Sequence, residues 1–225
     1  MPTATIKKIK RWNKYHAILV GLSGIGVLFF NSLMPLLLMA FLSFSWYVLS
    51  HLQVLKSFKP FGGYANWITL FRLALIFFTG WAFSYWPYSW IFVPVLIIAC
   101  LDGVDGYLAR KYNQQSDFGA YLDMESDTFY VCLLCTAYFL EGLFDWWILL
   151  IGFLRYIYVV LLYLFDLQNK PEKSTRFAKT IAVALFIALM FPLLFPKAVF
   201  IPGVMLASIS VFLSFARSFF LLLRS

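Results

Sequence analysis

Asp102 and Asp105 stand three residues apart, and Asp123 and Asp127 stand four apart. On a helix either spacing puts both members of a pair on one face. These four, with Asp117 and Glu125, are six of the chain's ten acids, gathered into one short segment. Two such helices side by side bring four carboxylates together, the hard, all-oxygen setting that Mg²⁺ or Mn²⁺ prefers. No histidine or cysteine lies between residues 102 and 127 to favour zinc. Arg110 follows the first pair, and a guanidinium beside a cation cluster suits a phosphate or pyrophosphate. Gly106 and Gly119 remove a side chain from each helix, so that a ligand or the neighbouring helix can approach closely. Ser116 stands just before the second helix, where it either caps that helix or donates to a phosphate oxygen.

The elements that must position these groups are membrane helices. The chain is 63% hydrophobic and 12% charged, and its mean hydropathy is +0.84, values that describe an all-α integral membrane protein. Each carboxylate at the centre of a spanning helix costs about 2.5 to 3.5 kcal/mol on insertion scales, so a concentration of them calls for a partner. Eight spans are expected, over residues 15–30, 33–49, 67–83, 90–108, 118–140, 146–165, 177–195 and 199–223. The first two form a run too long for one helix, and Asn31, Ser32 and Pro35 supply turn chemistry for a hairpin between them. Turn-rich residues near Lys59 and Pro60 then divide residues 1–60, a basic N-terminus and two-span hairpin, from a six-span unit over residues 61–225 that holds the acids.

With eight spans, all but one of the loop and terminal Lys and Arg residues fall on one side, and Lys197 alone faces Glu141 and Asp145 on the other. Positive residues mark the cytoplasmic side, which places both termini and the acidic cluster there. The net charge of +8 is then topological, and its scatter over several loops argues against nucleic-acid binding. The segment from Ile6 to Trp12 reads as a short interfacial anchor. Cys132 and Cys135 read as core packing, because no second ligand pair completes a zinc site. His16 and His51 are expected at span ends, meeting the interface.

The string Asp102-x-x-Asp105-Gly106-x-x-Ala109-Arg110, eight further residues, then Gly119-x-x-x-Asp123-x-x-x-Asp127 resembles the signature of the CDP-alcohol phosphatidyltransferase family at every fixed position. Eight specified positions have a chance rate of about 10⁻¹⁰ per start site on flat composition. The resemblance implies a six-helix core with the motif on its second and third helices, preceded here by the two-helix hairpin. It also implies a phosphatidyl group passed from CDP-diacylglycerol to a small polar alcohol with release of CMP, in phospholipid synthesis at the lipid bilayer. By carry-over, Asp102, Asp105, Asp123 and Asp127 would hold two Mg²⁺ or Mn²⁺ ions, and Asp127 would also act as general base. Gly106, Ala109, Arg110, Ser116 and Gly119 would face the CDP moiety. Asn66, Thr69 and Arg72 resemble the N-x-x-T-x-x-R entrance of the first core helix and would join them, although Asn66 and Thr69 have a second reading as helix caps. The family also implies a homodimer, on which the residues themselves are silent.

The acceptor rests on other residues. Arg155, Arg176 and Lys179 stand where they could bind an acceptor phosphate; positive-inside bias accounts for Arg176 and Lys179 equally well, and Arg155, deep in its span, could instead pair with the motif acids. Glu125 is outside the motif, as a further ligand or as a loop-facing acid. Two rival functions remain. One uses CDP-choline or CDP-ethanolamine as donor and diacylglycerol as acceptor; the other is divalent-cation transport, against which the acids cluster at one interface and not at mid-membrane.

Overall fold

Each apolar run becomes a helix, because a chain in lipid must satisfy its backbone groups within itself. The structure is a computed structural model and describes residues 4–168, 170 and 176–224, with no strand among them. In chain order the helices are α1 (Ala4–Phe30), α2 (Met34–Ser50), α3 (Leu52–Lys56), α4 (Tyr64–Ala82), α5 (Tyr88–Lys111), α6 (Asp117–Leu140), α7 (Trp147–Leu164), α8 (Arg176–Met190) and α9 (Lys197–Arg224). Five of them, α1, α4, α5, α7 and α9, are long and apolar enough to cross a membrane; α2 is apolar but shorter. Large apolar side chains such as Leu22, Ile25, Phe29, Leu206 and Phe212 face outward. An exterior of that kind is stable against acyl chains and not against water.

The break between α1 and α2 falls at the residues expected for it. Asn31 adopts a left-handed φ of 47°, which an asparagine tolerates better than most side chains. Ser32 Oγ then accepts from the Met34 amide at 3.2 Å, and Pro35 sits in the first turn of α2, where its missing N–H costs nothing.

Helix α1 differs from expectation at its start. The basic segment is no separate anchor; it is the first part of a 27-residue helix. Ile9, Trp12, Asn13 and His16 recur at helical spacing and are all buried, so this stretch is amphipathic in the sense of one apolar face and one charged face. Trp12 Nε1 donates to the Ser43 carbonyl at 3.0 Å. His16 is likewise not at an interface: it is fully buried, with Nδ1 2.8 Å from Ser43 Oγ. His51 is buried too, with Nδ1 2.8 Å from the Tyr47 carbonyl.

Helix α6 is the central element, packed against α4, α7 and α8 and touched by α1. Tyr47 of α2 donates through its hydroxyl to the Phe118 carbonyl at 2.9 Å and stacks on the Phe118 ring at 4.9 Å, which fixes the start of α6. Cys132 and Cys135 are buried and free. A Cβ at Gly152 of α7 would lie 2.8 Å from Cys135 Cβ, so glycine is what allows α6 and α7 to meet this closely.

Candidate active site

The start of α4, the end of α5 and the first turns of α6 meet at one end of the bundle. Arg72 rises from α4 into that junction and has no exposed surface. Its Nη1 donates to Asp102 Oδ1 at 2.6 Å and lies 3.4 Å from Asp105 Oδ2. Its Nη2 donates to Asp123 and lies 2.9 Å from Asp127 Oδ1. One guanidinium thus gathers all four motif aspartates, two from α5 and two from α6. Five rigidly placed N–H donors make arginine, and not lysine, able to do this.

The four acids are not equivalent. Asp105 is buried and held by the Thr69 hydroxyl at 2.9 Å and the Gly106 amide at 2.7 Å. Asp102, Asp123 and Asp127 each offer an oxygen within 4.8 Å of the others, and their side chains are 50%, 41% and 32% exposed. An all-oxygen trio with an open side suits a hard divalent cation that keeps part of its water shell, as Mg²⁺ does. The donor set therefore fits the cation expected from the sequence, with Asp102, Asp123 and Asp127 as its nearest holders and Asp105 as a more enclosed member.

Beside the acids lies a cavity of about 200 Å³. Its wall includes Asn66 and Thr69 from α4, Gly106, Ala109 and Arg110 from α5, and Ser116 and Gly119 at the start of α6. Seven residues expected around the CDP moiety are thus brought to one space. The eighth, Arg72, does not line it; the aspartates consume both terminal nitrogens of its guanidinium. Asn66 does not cap α4, whose first turn follows Gly63; it donates to the Gly62 carbonyl at 2.8 Å. Ser116 caps α6, accepting from the Gly119 amide at 3.1 Å, and also lines the cavity. The α6 N-terminus presents its partial positive charge to that space.

Gly119 is needed for the α4–α6 approach, since a Cβ there would lie 2.6 Å from Asn66 Oδ1. Gly119→Val is accordingly expected to destabilise the chain by about 1–3 kcal/mol through overpacking, read as a lower midpoint of thermal unfolding in detergent. Gly106 is different: the nearest atom to a Cβ there is its own helix's Arg110 Nη1, at 3.6 Å, so that glycine leaves room in the cavity and not between helices.

The acceptor candidates do not converge on this cavity. Arg155 pairs with Glu125, not with the motif aspartates: its Nη2 and Nε lie 3.3 and 3.4 Å from Glu125 Oε1. The same oxygen accepts from Asn13 Nδ2 at 2.9 Å. Glu125 is therefore neither a fifth member of the quartet nor a loop acid, but a buried group joining α1, α6 and α7. Lys179 is exposed on α8, and the Arg176 side chain and Lys173 lie outside the described residues. Sequence reasoning missed Gln114, which accepts from the Tyr64 amide at 2.8 Å and donates to the Lys59 carbonyl at 3.1 Å. It ties the α5–α6 connection to the start of α4 and forms part of the cavity wall. Nothing in its spacing signals that role.

The structure is thus a bundle of apolar helices with a carboxylate quartet carried by two helices that both pack against α4, and a cavity lined by small residues beside it. The CDP-alcohol phosphatidyltransferase family matches residues 63–216, more than half of the chain, and the chain belongs to that family. Among individual proteins, it is 40% identical over 89 residues to the CDP-diacylglycerol–glycerol-3-phosphate 3-phosphatidyltransferase of Yersinia pestis (strain Pestoides F), covering 38% of this chain and 48% of that protein. The proteins of the same name from Sodalis glossinidius (strain morsitans) and Salmonella choleraesuis (strain SC-B67) are 38% identical over 89 residues and 37% over 87. The chain spans about half the length of the curated relatives it matches. Helices α1 to α3 lie before the family match.

Proposed function

We propose that the chain transfers a phosphatidyl group from CDP-diacylglycerol to a small polar alcohol, with release of CMP, and that it does so on the cytoplasmic side of a membrane crossed by eight helices. The observation that carries this reading is the quartet of motif aspartates gathered by Arg72 beside a cavity lined by seven of the eight residues expected around the CDP moiety. Residues 1–60 would add a two-span hairpin to a six-span catalytic unit over residues 61–225.

In this reading the cytidine and pyrophosphate enter the cavity between α4, α5 and α6. Arg110, exposed at its rim, supplies a guanidinium to the phosphates, and the α6 N-terminus adds amide donors. Gly106 leaves room for the ligand, and Gly119 lets α6 come close to α4 beside it. Asp102, Asp123 and Asp127, with Asp105 behind them, would hold two Mg²⁺ or Mn²⁺ ions, which when bound neutralise the pyrophosphate and stabilise the leaving phosphate. Asp127 takes the proton of the acceptor hydroxyl through a carboxylate oxygen. The alcohol oxygen forms a bond to the phosphorus that carries diacylglycerol, the bond from that phosphorus to the bridging oxygen breaks, and CMP departs with the electron pair. Arg72 keeps the carboxylates in register throughout. Acyl chains remain in the bilayer while the polar partners arrive from water.

A phosphorylated alcohol is the favoured acceptor class, since the similar proteins carry glycerol 3-phosphate in their names. The test is CMP release by the full chain from CDP-diacylglycerol with Mg²⁺ or Mn²⁺, across serine, glycerol 3-phosphate, inositol, inositol 1-phosphate and no acceptor. One acceptor is expected to stimulate release, and chelation with EDTA to abolish it. Release from CDP-choline or CDP-ethanolamine with diacylglycerol, and none from CDP-diacylglycerol, would refute the donor assignment.

A further inference from the structure

A second built feature lies on the other flank of α6, outside the site described above. Lys7, Lys10, Arg11 and Lys14 recur at helical spacing on α1 and form one wall of an open cup of about 730 Å³, lined also by Tyr15, by Tyr163 of α7 and by Gln168. Among the described residues no carboxylate lines it, and none forms an ion pair with these four cations.

The cup is held in shape. Lys10 Nζ donates to the Gln168 carbonyl at 3.0 Å, Tyr163 donates through its hydroxyl to the Lys10 carbonyl at 2.8 Å, and Lys14 Nζ stands 5.1 Å from the centre of the Tyr163 ring. A charged stripe that served only to orient the chain would have no need of these fixed contacts, since topology depends on which side the charges lie and not on their geometry.

One helical turn further along the same two helices, the cup gives way to an apolar groove of about 310 Å³ between α1 and α7. Ile18, Gly21 and Leu22 face Ile157, Val160 and Leu161 across it. Gly21 has no atom within 4 Å of where a Cβ would stand, so its lack of a side chain holds the groove open and not a helix contact. Neither the cup nor the groove shares a residue with the cavity beside the aspartates, and the α1 wall of both precedes the family match at residue 63.

We propose that the α1/α7 face binds one anionic phospholipid, its phosphate headgroup in the basic cup and an acyl chain in the groove below. Charge complementarity selects the occupant: four cations with no carboxylate partner among the described residues attract a phosphate, and an apolar channel continuing from the cup accepts a hydrocarbon chain, a pairing that free phosphate or a soluble anion would use only in half. Each Lys or Arg near an anionic headgroup is worth about 1 kcal/mol, or roughly fivefold in affinity.

Native mass spectrometry of the full chain in detergent, with dioleoyl phosphatidylglycerol, dioleoyl phosphatidylcholine and inorganic phosphate as probes, tests this directly. The unmodified chain is expected to retain phosphatidylglycerol at least tenfold more than phosphatidylcholine. That preference should vanish in Lys10→Gln/Lys14→Gln and, where that pair fails to fold, fall in Lys7→Gln/Arg11→Gln, which leaves the Lys10 and Lys14 contacts with Gln168 and Tyr163 in place. Gly21→Phe, which fills the groove and leaves every charge in place, should weaken retention of both lipids. Equal retention of the two lipids by the unmodified chain, or a preference untouched by the charge substitutions, overturns the proposal. Displacement of the lipid by millimolar inorganic phosphate reassigns the cup to a free anion. A lipid-independent dimer abolished by Gly21→Phe reassigns the face to a second copy of the chain.

Discussion

Arg72→Gln should turn a stable bundle into one that stays folded only with a divalent cation. Four aspartates surround a guanidinium with no exposed surface, and glutamine leaves them facing one another with no positive charge between them. Breaking a buried ion pair by removing one partner costs about 3–5 kcal/mol, and here one substitution strips four acids of a shared partner. Part of that cost is recoverable, since Asp102, Asp123 and Asp127 have the spacing and openness to take a cation directly. In EDTA the variant should melt well below the unmodified chain, and millimolar Mg²⁺ or Mn²⁺ should restore a large part of the difference while shifting the unmodified chain much less. Arg72→Lys should fall between, because an ammonium keeps the charge but cannot reach four carboxylates at once. A variant that melts like the parent with or without cation would show that Arg72 does not organise the quartet.

Asp127→Asn should separate chemistry from folding. Removing a positioned general base lowers turnover by about 10²–10⁴-fold. Stability should not fall with it: an amide still accepts from Arg72, and three carboxylates around one guanidinium repel one another less than four. The expected result is a protein that inserts, melts at or above the parent's midpoint and releases almost no CMP. Near-normal CMP release would remove Asp127 from the role of base, and a large drop in melting point would place its contribution in the fold.

The positions of the long helices could be read from the apolar runs because a bilayer solvent leaves the chain few other options. Helix ends were harder to read wherever charge and burial disagreed. The first dozen residues read as an interfacial anchor because four of them are basic, yet Ile9, Trp12, Asn13 and His16 occupy the opposite face and bury it. The two aspartate pairs were legible because residues three and four apart share a face, and the cavity residues because they match the family signature; what joins the pairs was not. That same arithmetic applies to Glu125: two residues from either Asp123 or Asp127, it must point away from both. Which groups it would meet there was not legible, since Asn13 and Arg155 come from helices that only the tertiary packing brings near. Arg72 was recognisable as a motif residue, but spacing along α4 says nothing of four acids on two other helices, so its place among them and not on the cavity wall had no signal.

The Asn13–Glu125–Arg155 cluster bears on the chain's modularity. The helix that carries Asp123 and Asp127 on one side holds, on the other, a carboxylate buried against a residue of α1. Cutting the chain at the boundary suggested by its sequence would strip Glu125 of its Asn13 donor and Phe118 of its Tyr47 partner, exposing both sides of that anchor to lipid. The seam between residues 60 and 61 is therefore a boundary in composition but not in energy. A catalytic unit transplanted without its hairpin would have to find new neighbours for α6 before its aspartates could hold their places.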